Sequence, residues 1–259
     1  SETIMEGDME RRTFIKTMGM GAAAWILGRS TSSAAAPAGV AETVVSCFGD
    51  STTWGANGEA SGGGNEIAWP AKLKAQLGLK EVYNFGKKGS RLAMTADRQD
   101  SFVERLDGVL AQPADIFLVL GGVNDFQHDV PLGVLNEDND HTVYGAVKRI
   151  ISRITVQYPT AQLIFMTPMK NNFQNATKHY PHSFARNAQG LVQSDYVTAI
   201  QQACDYFSVP VINLYAGSGI SPFNLEQQKL YMPDGLHYSE AGYERLAARI
   251  GGELQCFIH

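Results

Sequence analysis

The sequence is poor in cysteine, with Cys47, Cys204 and Cys256 the three among 259 residues. Three scattered cysteines are too few for a disulfide framework or for a zinc site. Cys47 stands inside a short apolar run, and the other two stand in helical patterns. Because free cysteine is commonly buried, we expect three buried free thiols, with a Cys204–Cys256 bridge as the alternative.

Long runs of charge of either sign are also missing. Charged residues make up 18% of the chain, and the formal net charge is −5. A nucleic-acid-binding protein usually carries a basic patch, so this pattern argues against a nucleic-acid partner. The hydrophobic content of 44% over this length is enough for one sizeable core and indicates a single domain.

The first 38 residues lack an apolar run that could cross a membrane, because the stretch 18–27 is short and rich in Gly and Ala. It follows the basic segment 10–16 (ERRTFIK) and precedes a small-residue tract at 32–38. Basic, apolar and small-residue parts make up an export signal, and the paired arginines resemble the twin-arginine signal of bacteria. We therefore expect an export leader at 1–38, a single domain at 39–259, and a periplasmic or extracellular mature protein that does not insert into a membrane. An amphipathic N-terminal helix packed on the domain is the alternative.

Strand and helix patterns alternate from Val44 onward. The first predicted strand starts at Val44 and is ended by Gly49, and further short apolar runs predict strands at 81–86, 115–120, 162–166 and 210–214. Helical spacing of apolar residues predicts helices at 69–77, 101–110, 143–158, 190–207 and 239–254. Apolar strands separated by helices predict an α/β domain with a five-stranded parallel sheet covered on both faces.

A serine, Ser51, lies just past the end of the first predicted strand, where an open α/β sheet presents its reactive groups. A serine hydroxyl is a poor nucleophile near neutral pH, so it needs a base and a group that orients the base. Asp234 and His237 are three residues apart just before the last predicted helix, and a turn there can place them on the same side. None of the other five histidines combines a near carboxylate, turn residues and this position. Ser51, Asp234 and His237 are therefore the candidate catalytic residues.

Acyl transfer also needs hydrogen-bond donors for the oxyanion that develops at the carbonyl. Gly86 ends the second predicted strand and offers a backbone N–H, and Asn124 follows the third strand and offers a side-chain amide. Parallel strands present their carboxyl ends on one edge, so both residues are expected to meet Ser51 there. A plain strand-ending glycine, and a turn or helix cap at Asn124, are the alternatives.

Taken in order, Gly49-Asp50-Ser51, Gly86, Gly122-x-Asn124-Asp125 and Asp234-x-x-His237 resemble the motif blocks of the SGNH (GDSL-like) hydrolases. The resemblance covers essentially all of residues 44–259. It implies a three-layer α/β/α, flavodoxin-like fold, with Ser51 as nucleophile, His237 as base and Asp234 as the group that orients it. It also implies an oxyanion hole made by the Ser51 N–H, the Gly86 N–H and the Asn124 side chain, and it implies neither a metal nor a cofactor.

The second motif block departs from the family pattern. The family often has Asn-x-Gly-x-Ser-Gly, whereas this chain has Asn84-Phe85-Gly86-Lys87-Lys88-Gly89, with a lysine in place of the serine. The glycine at position 86 is kept. Any additional support that the serine would give to the site is lost.

The substrate class is indicated by residues around the expected site. The longest irregular segment, 169–187, mixes amides with aromatics, which suits a sugar ring, and a solvated surface loop is the alternative. Trp54 and Asp125 are candidates for substrate contact; a core position for Trp54 and a turn or cap for Asp125 are their alternatives. No apolar lid typical of a lipase is evident. With export, this favours a small-molecule or glycan ester substrate, above all O-acetyl or other short-acyl groups on a carbohydrate.

Three other functions stay open at this point. A short-chain esterase or lysophospholipase of the same family would use the same residues. A binding module could recognise an acylated glycan without turning it over, although the intact Ser51, Asp234 and His237 speak against it. An acyltransferase would differ only in using a sugar hydroxyl, not water, as the acceptor.

Overall fold

The fold is built on one sheet of five parallel strands with the order β2-β1-β3-β4-β5. The strands are β1 (Val44–Gly49), β2 (Glu81–Gly86), β3 (Ile116–Leu120), β4 (Gln162–Met166) and β5 (Val211–Ile212). This computed structural model describes residues 39–58 and 62–258, so the export leader expected at 1–38 lies outside the described residues. The strand order and the helices around the sheet confirm the three-layer, flavodoxin-like α/β/α fold.

The order of the strands reverses at β1, which pairs with β2 on one side and with β3 on the other. Ser46 shows the register, since it lies opposite Tyr83 in β2 and Phe117 in β3. The reversal makes the edge beyond β1 and β3 the switch point of the sheet, where open α/β folds bind ligands. The residues that follow β1, β2 and β3 therefore meet at this edge.

Helices cover both faces of the sheet. They are α1 (Ser51–Trp54), α2 (Trp69–Leu77), α3 (Phe102–Leu110), α4 (Val123–Gln127), α5 (Val143–Gln157), α6 (Gln193–Tyr206), α7 (Leu214–Gly217), α8 (Leu225–Tyr231) and α9 (Glu240–Leu254). The strands alternate between two cores: Phe48 packs with the α3, α5 and α6 side, and Cys47 with the α2 and α9 side. Within the described part of the chain, no helix is both long and apolar enough to cross a bilayer.

Two predicted elements are shorter than expected by more than one residue, and side-chain hydrogen bonds explain why. Helix α6 starts at Gln193, not at 190, because the Asn187 side chain accepts the N–H groups of Gln189 and Leu191 and holds a turn there. Strand β5 ends at Ile212 because the side chain of Asn213 caps the short helix α7 that follows.

The cysteines are free thiols in the structure, which excludes the alternative of a Cys204–Cys256 bridge. Cys47 and Cys204 are buried, as expected, and burial raises the pKa of the Cys47 thiol. Cys256 is exposed, so the expectation of three buried thiols is wrong at this position. It lies in the short 3-10 turn Gln255–Phe257 that follows α9, and no residue of that turn is buried.

Candidate active site

Ser51 is the first residue of α1 and follows the end of β1 by one residue. The preceding Asp50 caps α1, because its Oδ1 accepts the backbone N–H of Thr52 at 3.0 Å. As the first helical residue, Ser51 has a backbone N–H without an intrahelical acceptor. The residue is only 6% exposed, yet it lines a cavity of about 480 Å³. The turn thus holds the hydroxyl at the floor of a cleft.

A chain of hydrogen bonds joins Ser51, His237 and Asp234. The Ser51 Oγ lies 3.0 Å from His237 Nε2, and His237 Nδ1 lies 2.7 Å from Asp234 Oδ2. With the proton on Nδ1, the imidazole donates to Asp234 and its Nε2 accepts from the serine hydroxyl. The structure therefore brings together all three candidate catalytic residues in the order that a serine hydrolase requires.

The turn between α8 and α9 holds the Asp234 carboxylate in place. Its Oδ1 accepts the backbone N–H groups of Leu236 at 2.9 Å and of His237 at 2.7 Å. Burial acts to raise the pKa of Asp234, but the hydrogen bonds and charge of His237 outweigh burial and lower it below the ordinary value. The carboxylate is thus kept ionised beside the imidazole, where it stabilises an imidazolium.

Asn124 lies one residue after the start of α4 and points its amide at the nucleophile turn. Its Nδ2 donates to Asp50 Oδ2 at 3.3 Å and to the Ser90 carbonyl oxygen at 3.1 Å. Asp50 is buried, which raises the pKa of its carboxyl to about 6. Asn124 lines the same cavity as Ser51.

Gly86, predicted as an oxyanion donor, is not among the residues that line the cavity. Its N–H donates to the side-chain oxygen of Asn84 at 2.8 Å, and a Cβ at position 86 would lie 2.1 Å from the backbone nitrogen of Trp54. Position 86 must be a glycine because β2 packs closely against α1 there. The expected oxyanion role of Gly86 does not fit this geometry.

Gly89 lies at the cavity where Gly86 was expected. Its backbone has φ +73°, a left-handed conformation that favours glycine, and a Cβ there would lie 2.3 Å from Arg98 Nη1. Its N–H makes no hydrogen bond to any described residue. The motif block contained both glycines, but only the turn after β2 decides which of them lines the cavity.

Arg105, on α3, ties the ends of two strands to the loop that carries Ser90. The guanidinium donates to the carbonyl oxygens of Gly49 at 2.9 Å, Phe85 at 2.8 Å and Asp100 at 3.1 Å, and to the Ser90 hydroxyl at 2.9 Å. Burial lowers the pKa of Arg105 to about 10, so the group stays charged at neutral pH. No sequence pattern pointed to this residue, because most of its partners are backbone carbonyl oxygens from separate segments.

The two further residues considered for substrate contact have other roles. Asp125 is fully buried, and its carboxylate accepts the N–H groups of Leu92 at 2.8 Å and Ala93 at 3.1 Å. Burial raises the pKa of Asp125 to about 6. Trp54 lies under the ammonium of Lys88, which is 3.8 Å from the ring centroid, and is not among the residues lining the cavity. Asp125 thus holds the loop that contains Leu92 and Ala93. Trp54 contacts Lys88, which lines the cavity, and does not line the cavity itself.

One wall of the cavity comes from the irregular segment after β4. Phe173 presents its ring edge-on to the His237 imidazole, with 6.4 Å between centroids, and stacks on Tyr180 at 5.6 Å. Tyr180 in turn contacts His128 at 4.9 Å. Beyond Phe173 the cavity adjoins an open groove of about 750 Å³ lined by the same segment. The cleft is therefore long enough for a substrate that extends past the reacting ester.

The comparisons with known proteins agree with this geometry. The family described as GDSL-like Lipase/Acylhydrolase matches residues 47–245. One solved structure is 53% identical, covering 85% of this chain and 100% of its own, with a TM-score of 0.81. A protein from Lactobacillus plantarum is 27% identical over 84% of this chain and 99% of its own, with a TM-score of 0.70.

A carbohydrate acetylesterase family member from Sinorhizobium meliloti is 20% identical over 83% of this chain and 98% of its own, with a TM-score of 0.59, and shows the shared fold. No curated protein matches the chain. The family match spans most of the sequence and includes Ser51 and His237. The chain therefore belongs to the GDSL-like lipase/acylhydrolase family, as the motif blocks predicted.

Proposed function

We propose that this protein is a serine esterase that removes O-acetyl or other short-acyl groups from a carbohydrate through an acyl-enzyme. The observation that carries the proposal is the hydrogen-bond chain from Ser51 Oγ through His237 to Asp234, with distances of 3.0 and 2.7 Å. A serine without a base would be a poor nucleophile, and here the base and the group that orients it are both in contact.

In the proposed reaction, Ser51 Oγ attacks the ester carbonyl while His237 Nε2 takes the hydroxyl proton. The tetrahedral intermediate collapses, and the imidazolium returns that proton to the leaving alcohol. Water then attacks the acyl-enzyme, gives one proton to His237, and releases the carboxylic acid as Ser51 regains its hydrogen. Asp234 stays ionised throughout and stabilises the imidazolium.

Three donors near Ser51 would hold the oxyanion. They are the N–H of Ser51, the N–H of Gly89 and the amide of Asn124, which line the same cavity. The Gly89 N–H has no acceptor among the described residues, and the 3.3 Å bond from Asn124 to Asp50 is the weaker of the two that its amide makes. The oxyanion that develops on the carbonyl oxygen of the substrate is therefore the best hydrogen-bond acceptor for the Gly89 N–H and the Asn124 amide.

The lining of the cleft supports a carbohydrate as the alcohol part. Amide side chains of Asn124, Gln127 and Asn175 lie beside the rings of Phe173 and Tyr180, a combination that suits hydroxyls and the apolar face of a sugar. A carbohydrate acetylesterase family member shares this fold, which is consistent with the proposal. A lipid chain would instead favour a mainly apolar lining.

The experiment compares purified protein with its Ser51→Ala variant, and with Ser152→Ala on α5 as a matched control. Acid release is measured on p-nitrophenyl acetate through octanoate and on acetylated polysaccharides. We expect Ser51→Ala to abolish release with an unchanged melting temperature, and Ser152→Ala to behave like the parent.

The outcomes separate the candidate functions. Serine-dependent release confined to short acyl groups and acetylated glycans supports the proposal. A preference for octanoate would point to a lipid-directed esterase, and glycan binding without release would point to a binding module. Acetyl transfer to added sugar in place of release as acetate would identify an acyltransferase.

A further inference from the structure

We propose that the cleft selects esters of acidic saccharides, and that Lys88 and Lys178 bind a carboxylate on the sugar. The inference rests on the proposed function and narrows it to a substrate class. It makes these two lysines specificity-determining residues, separate from the groups that act on the ester.

The charged residues that line the cavity are mostly positive, whereas the chain as a whole is negative. The formal net charge is −5, whereas the described lining carries Lys88, Arg98 and Lys178 against one carboxylate, Asp234. Asp234 is already hydrogen-bonded to His237. A cleft that concentrates cations within an acidic protein attracts anions, because low-dielectric walls focus the field.

Arg98 does not supply the excess charge, because it is already neutralised. Its Nε and Nη2 donate to the two carboxylate oxygens of Asp100 at 2.5 and 2.6 Å. This pairing lowers the pKa of Asp100 below its ordinary value. The unpaired positive charge of the described lining therefore belongs to the two lysines.

Lys88 is held at the cavity by an aromatic ring and not by a carboxylate. Its Nζ lies 3.8 Å from the centroid of the Trp54 ring, and it makes no ion pair within residues 39–58 and 62–258. A cation over a ring keeps its N–H donors, so the ammonium can still bind an anion. It also lies next to Gly89, which lines the cavity beside the nucleophile. Lys88 occupies the position where the second motif block departs from the family pattern.

Lys178 borders both the cavity and the adjoining groove. Its backbone is fixed by a turn in which the Asn175 side chain accepts the N–H groups of Thr177 and Lys178, each at 2.9 Å. No carboxylate pairs with its ammonium in the described part of the chain. The turn thus presents a second cation where a bound substrate would leave the cavity for the groove.

An acidic sugar fits these cations better than an anionic lipid does. The amides of Asn124, Gln127 and Asn175 and the rings of Phe173 and Tyr180 surround the same space, and such a lining matches a sugar ring bearing a carboxylate. A phospholipid would need an apolar channel for its chain. We therefore assign the anion to a carboxylate on the saccharide.

The test compares the parent with Lys88→Gln/Lys178→Gln and with Lys80→Gln/Lys229→Gln. The control variant removes two exposed lysines that pair with Glu42 and Glu226 outside the cleft, so its net charge is the same. Substrates are acetylated polygalacturonate, acetylated xylan without uronate, and p-nitrophenyl acetate. Lysophosphatidylglycerol and lysophosphatidylcholine serve as anionic and zwitterionic lipids.

We expect the parent to prefer acetylated polygalacturonate to neutral xylan, and 0.5 M NaCl to weaken that preference. The cleft variant should lower kcat/KM on polygalacturonate about fivefold through KM, as expected for two partly exposed ion pairs. Its activity on p-nitrophenyl acetate and neutral xylan should not change. The control variant should match the parent on every substrate.

Equal loss of activity by the cleft variant on acidic and neutral substrates, or no loss on either, would overturn the inference. Serine-dependent release from p-nitrophenyl acetate by the parent would still support the proposed esterase function. A preference confined to lysophosphatidylglycerol would overturn it in favour of a lipid. If no ester is hydrolysed, the proposed function fails, and calorimetric titration of Ser51→Ala with oligogalacturonate and xylo-oligosaccharide decides the inference alone. Tighter binding of the acidic oligomer, lost in the cleft variant, supports it; equal binding refutes it.

Discussion

The floor and the wall of the cleft are built in opposite ways. The floor consists of Ser51, Gly89 and Asn124, which follow the ends of β1, β2 and β3; Ser51 is 6% exposed and Asn124 is 7% exposed. The wall is the irregular segment 169–192, where Phe184 is 59% exposed. Buried hydrogen bonds fix the floor, whereas much of the wall faces solvent.

The wall is held by hydrogen bonds at its base and along its length. Asn171 donates to Gln193 at 2.9 Å, and Ser183 donates to the same Gln193 oxygen at 2.6 Å, so a buried network joins both ends of the segment. Along the segment, the backbone N–H groups of Asn172 and Gln174 donate to the carbonyl oxygens of Gly235 and Asp234, and the Asn187 amide donates to the carbonyl oxygen of Phe126 in α4. The residues proposed to act on the ester thus follow the ends of strands or precede α9, and part of the proposed sugar-binding lining lies in the segment above them.

Among the predictions for the floor and the wall, the substitution Asn124→Ala in the floor should change the kinetics most. Removing one oxyanion donor lowers kcat by roughly 10²- to 10³-fold. KM should change little, because the amide acts on charge that develops in the transition state. Steady-state kinetics on p-nitrophenyl acetate measures both constants.

The matched control for Asn124 is Gln127→Ala, which lies on the same short helix and also lines the cavity. Its kcat should stay within a few-fold of the parent. Equal losses in the two variants would show that α4 positions the cleft as a whole and that the amide has no special role.

The second effect is on stability and comes from Arg105→Met. The substitution removes the hydrogen bonds from the guanidinium to the carbonyl oxygens of Gly49, Phe85 and Asp100, which at about 1 kcal/mol each costs about 3 kcal/mol of unfolding free energy. Urea denaturation measures it, with Arg153→Met as the control. Arg153 makes an exposed ion pair with Asp107, and its loss should cost under about 1 kcal/mol. Equal losses would mean that the strand ends do not depend on the guanidinium.

The third effect concerns pH and the anchor under the floor, Asp125. Burial raises its pKa to about 6, so as pH rises from 4 the folded state keeps a proton that the unfolded chain has lost. The contribution of Asp125 to stability therefore falls as pH rises, by about 2–3 kcal/mol up to pH 7. The side chain in Asp125→Asn cannot titrate, so this variant is the reference. Urea denaturation at pH 4 and at pH 7 gives the free energy of unfolding of both proteins, and the value of the parent minus that of the variant should fall by that amount as pH rises. A constant difference would show that Asp125 titrates normally.

The sequence predicted the floor better than the wall for a physical reason. Ser51, Asn124, Asp234 and His237 follow short apolar strands or precede a helix, and strand ends in a parallel sheet must converge. Gly86 does not line the cavity, whereas Gly89 of the same motif does, because the turn after β2 has a left-handed backbone angle at Gly89 that sequence spacing does not reveal.

Arg105 and Asp125 were harder to predict, because both act on backbone atoms that are distant in sequence. Arg105 binds carbonyl oxygens up to 56 residues away, and Asp125 binds N–H groups 32 and 33 residues away. Backbone groups carry no sequence signature. Irregular segment 169–187 was recognised as a loop, but which of its side chains face the site depends on the network at its base.

The smallest expected effect comes from the wall, in Phe173→Ala. The ring lies 6.4 Å from the His237 imidazole and stacks on Tyr180, so its loss removes an apolar surface beside the bound sugar. We expect KM on acetylated glycan to rise about fivefold, with kcat and the melting temperature nearly unchanged, because stacking contributes about 1 kcal/mol. Phe184→Ala is the control, since this exposed ring belongs to the same segment but lines neither the cavity nor the groove. If Phe173→Ala lowered kcat and left KM unchanged, the ring would be holding His237 in place, and the division between a catalytic floor and a selective wall would fail at this residue.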